Sequence, residues 1–376
     1  MHEIVKEIEQ SIDAEVILDS SDAATGDVSL GRRFFNLQTL LSFIVSFAIL
    51  YFVITKIDVN FDEIINRIKA ANLYYYVLAF IVYYMSFIVR AWRWDFLLRN
   101  VGFLKREGIH LPALPGLTQI VLLSWFANCI VPAKLGDAYR GYLLKASAGV
   151  SFSKTLGTIL AERIIDVVVL FALLALAGLR VFHGTMPQAF ESMLIVGGVL
   201  IALIVIALIA MLRFGNAVKR LLPARFREFY ARFEEGTLLS FQQLPLVAVL
   251  TVIIWGAETG RLWFILFSLR VENIPVSVVL FVALASSLLT TVPMTPAGLG
   301  VVESALIGLL LLLNNLGSIH GVDQISAASI AVLDRTISYW SLVLVGLLVY
   351  LFGKRKGIGE GLRRLFCASA SIIQRR

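Results

Sequence analysis

The sequence predicts an all-α polytopic membrane protein, and three observations carry that prediction. Of 376 residues, 59% are apolar and only 16% are charged, whereas soluble domains carry about a quarter charged residues. The mean hydropathy is +0.84. Several uninterrupted apolar runs reach the roughly 20 residues that a helix needs to cross a hydrocarbon core of about 30 Å. Together these exclude a soluble enzyme, a disordered chain and a disulfide scaffold. Cys129 and Cys367 are the two cysteines and the four histidines are scattered, so no metal and no cofactor is expected. The net charge of +7 is assigned to membrane topology and not to nucleic-acid binding.

Residues 1–36 form an acidic tail closed by Arg32 and Arg33. The tail has no basic start followed by an apolar core, so it is not a signal peptide. Six full spans follow: Leu37–Thr55, Leu73–Val89, Leu156–Phe182, Met193–Leu212, Leu244–Leu269 and Ile325–Phe352. The second opens on Tyr74, Tyr75 and Tyr76, placed as an interfacial belt. Leu117–Val131 is too short to span and runs into Pro132 and KLGDAYRGYLLK. Val276–Val292 meets PMTPAGLG and then a second apolar run carrying Glu303. Both are read as re-entrant helical hairpins, with two tight crossings as an alternative for the second. Residues 353–376 form a basic tail suited to anionic headgroups. The membrane domain is thus expected over 37–352.

With both termini cytoplasmic and each hairpin returning to its own side, 25 of the 33 Lys and Arg fall in cytoplasmic segments, five outside and three within spans. That excess follows the positive-inside rule; the membrane expected is the plasma membrane.

The two halves echo each other. PAKLGDAYR at 132–140 aligns with PAGLGVVES at 296–304, RAWRWDFLL at 90–98 with ETGRLWFIL at 258–266, and AERIIDVV at 161–168 with LDRTISYW at 333–340. The repeat halves run over about 73–182 and 244–352. Three crossings separate them, so the second copy is inverted, an architecture that in transporters places a site where the repeats meet.

Four segments in this order are specific: RxxRW at 90–94, NCIVPAKLGDAYRGYLL at 128–144, ERIID at 162–166 and TPAGLGVVE at 295–303. The chain is identified by them as resembling the lysylphosphatidylglycerol synthase transmembrane-region family, also called the flippase-like domain, over about Phe34–Phe352. The resemblance implies movement of aminoacylated phospholipids or polyprenyl-phosphate-linked sugars. Full-length synthases of the family carry a soluble aminoacyl-transferase domain after the membrane part. None follows in this sequence, so synthase activity is not expected. Lys134 stands where relatives often have arginine; it keeps the charge but loses the bidentate fork.

Charges inside spans are the first candidate site, because each costs about 2.5–3.5 kcal/mol at mid-membrane unless paired or wetted. They are Glu162, Arg163 and Asp166, then Glu258 and Arg261, then Asp334 and Arg335. Arg163 reaches Asp166 at i+3, as Glu258 reaches Arg261, and at least one of Asp334 and Arg335 must pair across helices. They serve either as salt bridges locking the bundle or as the lining of a headgroup path. The hairpin breaks are the second candidate: Asn128, Pro132, Lys134, Gly136, Asp137 and Arg140 in the first, and Pro296, Gly298, Gly300 and Glu303 in the second. Free amides at a helix start attract phosphate; Lys134 and Arg140 add charge to the first, whereas the second has no cation and carries Glu303 instead. Arg90, Arg93 and Trp94 are read as an anchor at the membrane interface.

The function expected is a lipid flippase for a phosphate-headed amphiphile. Its partners would be lipids with anionic headgroups and possibly a separately encoded synthase or glycosyltransferase. The alternatives are an intramembrane lipid-modifying transferase and an accessory subunit. No nucleotide-binding motif is present, so a gradient, the substrate's own concentration or a coupled ion would drive movement.

Overall fold

The computed structural model describes residues 61–104, 108–130, 135–183, 186–271, 273–289 and 296–353. The first span, the two tails, Pro132 and Lys134 lie outside the described residues. Among the described residues every regular element is helical.

A short helix, α1 (Phe61–Lys69), leads into α2 (Leu73–Asn100). The first hairpin is α3 (Leu114–Ile130) and α4 (Gly136–Ala148). Then come α5 (Phe152–Val181), α6 (Gln188–Leu221), α7 (Ala224–Leu239) and α8 (Leu244–Ser268). The second hairpin is α9 (Val276–Leu289) and α10 (Val301–Asn315). The last span is α11 (Gln324–Arg335), one π-helical turn over Thr336–Ser341, and α12 (Leu342–Gly353).

Five helical stretches are long and apolar enough to cross a membrane: 73–100, 152–181, 188–221, 226–268 and 324–352. They coincide with the last five spans read from sequence. The helices α3, α4, α9 and α10 have 17, 13, 14 and 15 residues. At 1.5 Å rise, about 20–25 Å each, they fall short of a full crossing. Within each hairpin the two helices pack on one another. Gly136 makes the first fold-back close: a Cβ there would stand 2.6 Å from Asn128 Oδ1 and nearer still to the Ser124 carbonyl. Its amide donates to Asn128 Oδ1 at 2.8 Å.

The halves meet along α2 and α8, which run antiparallel. The Asn72 amide, at the start of α2, donates to the Ser268 carbonyl at the end of α8, 2.7 Å away. At the other end, Asn100 Nδ2 donates to Ser240 O just before α8, at 3.3 Å. Cross-packing is reciprocal: α5 packs on α7 and α9, while the α11–α12 span packs on their counterparts α1 and α3. The end contacts are reciprocal too, with charge reversed. On α1, Arg67 pairs with Asp323, the N-cap of α11, at 3.0 Å; on α7, Glu235 pairs with Lys154 in the first turn of α5 at 2.9 Å. Glu235 lies 168 residues after Arg67, the offset separating Arg93 from Arg261. The two halves are therefore arranged as an inverted repeat.

Between them, α6 is apolar on all sides over residues 193–212, with Ile195, Val199, Leu203 and Ile206 exposed. A helix apolar all round suits hydrocarbon as its solvent.

Candidate functional site

The interior of the bundle holds a network of arginines and carboxylates where α2, α5, α8 and α11 meet the hairpins. Its order follows from helical spacing. On α5, Glu162 and Asp166 are one turn apart and face α2 together. There Arg93 meets both, with 2.9 Å from Nη2 to Glu162 and 3.2 Å from Nη2 to Asp166 Oδ2. Its Nη1 bonds Asp166 Oδ1 and, at 2.7 Å, Thr251 Oγ1 of α8. Glu162 also receives Arg140 from α4, at 3.0 and 3.1 Å. The Arg140 guanidinium lies 3.9 Å above the Trp94 ring, and Trp94 Nε1 donates to Thr158 Oγ1 at 3.4 Å. Arg163, one residue past Glu162, turns instead to the first hairpin. It holds Asp137 through two bonds of 2.8 and 3.0 Å and reaches Asp166 at 3.5 Å.

The second half repeats the scheme. Arg261, equivalent to Arg93, bonds Asp334, equivalent to Glu162, and holds Glu258 at 3.1 Å. Arg335, equivalent to Arg163, turns to the second hairpin and meets Glu303 at 3.0 Å. It also donates to the Gly298 and Ala297 carbonyls, at 3.1 and 3.4 Å. Those two residues adopt φ of 71° and 49°, so Arg335 pins a backbone that departs from helix. Glu303 in turn accepts the Gly300 amide at 2.8 Å. The π turn follows Arg335 directly, and Tyr83 of α2 donates to the Ser338 carbonyl within it at 3.1 Å.

Arg90 joins the halves. It pairs with Glu258 at 2.8 Å and lies over Trp125 of α3 at 4.5 Å. Within this network Arg90, Arg93, Arg140, Arg163, Arg261 and Arg335 face Asp137, Glu162, Asp166, Glu258, Glu303 and Asp334. Six cations and six anions balance, as a low-dielectric interior requires.

Three readings of the sequence are corrected. Arg90, Arg93 and Trp94 are not an interfacial anchor: all three are buried, because α2 continues to Asn100 and carries them against α5 and α8. Arg90, Arg93 and buried Arg140 therefore drop out of the positive-inside tally, which leaves 22 cations in the segments expected to be cytoplasmic against five in those expected outside. Arg140 is not presented to solvent at the hairpin break, since Glu162 and Trp94 occupy it. The second hairpin does not lack a cation, since Arg335 reaches it from α11.

The i,i+3 contacts of Arg163 and Arg261 are present, but each arginine's closer carboxylate lies on another helix. Asn128 closes the first hairpin. Sequence reasoning missed Thr251, Thr158, Tyr83 and Trp125. Thr251 lies seven residues before Glu258 on α8, two turns away on the same face, and that spacing was the available signal.

Residues 39–346 match the family model of the lysylphosphatidylglycerol synthase TM region. A UPF0104 membrane protein of Methanocaldococcus jannaschii is 37% identical over 236 residues, 62% of this chain and 97% of the relative. A UPF0104 membrane protein of Pyrococcus horikoshii is 26% identical over 330 residues, covering 78% of this chain and 91% of that one. Glycosyltransferase AglD of Haloferax volcanii is 24% identical over 314 residues, 73% of this chain but 48% of that protein. The broken helices, the paired arginines and the match over most of the sequence agree: this chain belongs to the lysylphosphatidylglycerol synthase transmembrane-region family of multi-pass membrane proteins.

Proposed function

We propose that the protein moves a phosphate-headed amphiphile between the leaflets of the plasma membrane, with both termini cytoplasmic. The lipid is an aminoacyl-phospholipid or a polyprenyl-phosphate-linked sugar. One observation carries the reading: a charge-balanced arginine–carboxylate network sits where two inverted halves with broken helices meet. Inverted repeats with interrupted helices suit alternating access. A guanidinium fork fits two phosphate oxygens as well as two carboxylate oxygens. A gradient or the lipid's own concentration difference drives the movement. The anionic headgroup supplies the contact with the protein, and a separately encoded synthase or glycosyltransferase supplies the lipid.

A second reading is a lipid-modifying transferase, or a subunit serving one. The likeness to a protein named glycosyltransferase favours it, although about half of that protein lies outside the match. One assay separates the two. Purified protein in liposomes, given fluorescent phosphatidylglycerol and polyprenyl phosphate on one leaflet, should speed their exchange without changing their chemistry. Unchanged leaflet asymmetry together with a new lipid product would favour the transferase.

A further inference from the structure

Two ion pairs in the network stand apart from the rest. Arg163–Asp137 and Arg335–Glu303 each join a spanning helix to the first turn of a hairpin helix. The arginines are repeat equivalents, 172 residues apart. The acids are not in strictly aligned positions, yet each half has placed one where its arginine can hold the hairpin. The two pairs differ in exposure. Side chains of Arg163 and Asp137 are 33% and 21% exposed, those of Arg335 and Glu303 only 8% and 12%. Arg90, Arg93, Arg140 and Arg261 are buried like Arg335.

We propose that these pairs are two alternating latches, and that the phosphate of the lipid headgroup takes the place of the hairpin carboxylate on the arginine. The proposal rests on the lipid-translocation reading and names its binding step. Among the described residues the network's cations and anions are equal in number, so an anion enters by exchange and not by addition. Arg163 suits that exchange. Asp137 presents two oxygens to its fork, as a phosphate does. When Asp137 leaves, Asp166 remains at 3.5 Å, so the arginine is never stranded. The displaced Asp137 is already partly in contact with solvent and is rehydrated there. Arg335 is held by Glu303 and by two carbonyls of the break, which keeps the second latch shut. One latch accessible and its inverted equivalent shut is one half of an alternating-access cycle. The other half exchanges the two states.

The test uses the full chain in detergent, with dihexanoyl phosphatidylglycerol as the lipid probe and glycerol 3-phosphate as the free-phosphate probe. Asp137→Asn removes the competitor and should tighten the lipid probe about five- to tenfold, or about 1–1.4 kcal/mol. Arg163→Gln should abolish binding, and Lys219→Gln, whose partner Glu234 lies outside the network, should leave it unchanged. If Asp137→Asn does not yield folded protein, Ala138→Cys beside the latch replaces it: the lipid probe should protect that thiol from a small maleimide, and should not protect Ala305→Cys. Unaltered affinity in both Asp137→Asn and Arg163→Gln, or equal labelling with and without lipid, overturns the latch. Glycerol 3-phosphate binding as tightly as the lipid overturns the headgroup assignment. If liposomes exchange lipid while these variants bind normally, the latch fails and transport stands. If binding responds as stated and no exchange occurs, transport fails and the phosphate site stands.

Discussion

Arg90 and Glu258 occupy the same position in the two halves of the chain, 168 residues apart, and meet each other at 2.8 Å. Equivalent residues touch only where a pseudo-twofold axis passes, so this pair marks the axis between α2 and α8. One half contributes the cation and the other the anion, which lets two copies of one position pair where identical residues would repel.

The relationship predicts a charge-exchange experiment. Removing Glu258 strands buried Arg90 and should cost about 3–5 kcal/mol, while removing Arg90 leaves Glu258 with Arg261 and should cost less. Combining Arg90→Glu with Glu258→Arg should recover most of the loss. Glu at position 90 stands i,i+3 from Arg93, as Glu258 now stands from Arg261. Thermal unfolding in detergent, followed by size-exclusion fluorescence, reads the result. A double variant no more stable than the worse single one would show that the surroundings of the two positions are not equivalent.

Arg140 is predicted to behave as a structural group. Its guanidinium is sandwiched between Glu162 and the Trp94 ring, an arrangement needing a planar fork. Arg140→Lys should therefore fail to rescue the loss caused by Arg140→Gln. Both should lower thermal stability, Arg140→Gln by about 2–4 kcal/mol, since Glu162 keeps Arg93 but loses one of two cations. If Arg140→Lys matches the unaltered protein, the stacking and the fork are dispensable and charge alone matters.

Helix order, the two hairpins and the repeat were legible because each leaves a local mark: an apolar run of a given length, a Pro/Gly break, a recurring offset. The in-span acids and bases were legible as cost, and the i,i+3 contacts follow from helix geometry. What spacing does not carry is the choice among partners on other helices. Asp137 and Arg163 are 26 residues apart, and Arg93 and Asp166 are 73 apart. Which carboxylate each arginine takes depends on how α2, α4 and α5 rotate about their axes. Arg90 and Arg93 were misplaced for a related reason. An apolar-run rule ends a span at its first charge, whereas the helix continues wherever that charge is neutralised inside the bundle.

Close packing at the first hairpin gives a third prediction. Gly136→Ala places a methyl against the Ser124 carbonyl and Asn128 Oδ1, both on α3. Forcing α4 away should cost about 1–3 kcal/mol or more and weaken the Asn128 bond. Gly198→Ala in α6 meets nothing within 4 Å and should be neutral or slightly stabilising, by up to about 1 kcal/mol. Unfolding midpoints of the two variants should move apart. Equal midpoints would mean that α3 and α4 are not tightly apposed.

The last prediction concerns pH at the end of the bundle where α1 meets α11. Burial alone would raise the Asp323 carboxyl, but bonds from the Ser326 hydroxyl and amide, with the Arg67 charge, hold it below the usual aspartate range. A carboxyl lowered in the folded state adds stability that is fully present above its unfolded value, near pH 3.9. That stability is lost as pH falls through the lower folded value. Asp323→Asn removes the charged form but keeps an acceptor for the Ser326 amide. At neutral pH the variant should be less stable than the unaltered protein. Because Asp323 is largely exposed, the difference should be small and should shrink with added salt. The two unfolding midpoints should converge as pH falls through that lower folded value, because the unaltered Asp323 is then protonated as well. A gap that stays constant from neutral to acid pH would assign the effect of Asp323 to helix capping alone and leave the Arg67 pair without a share in it.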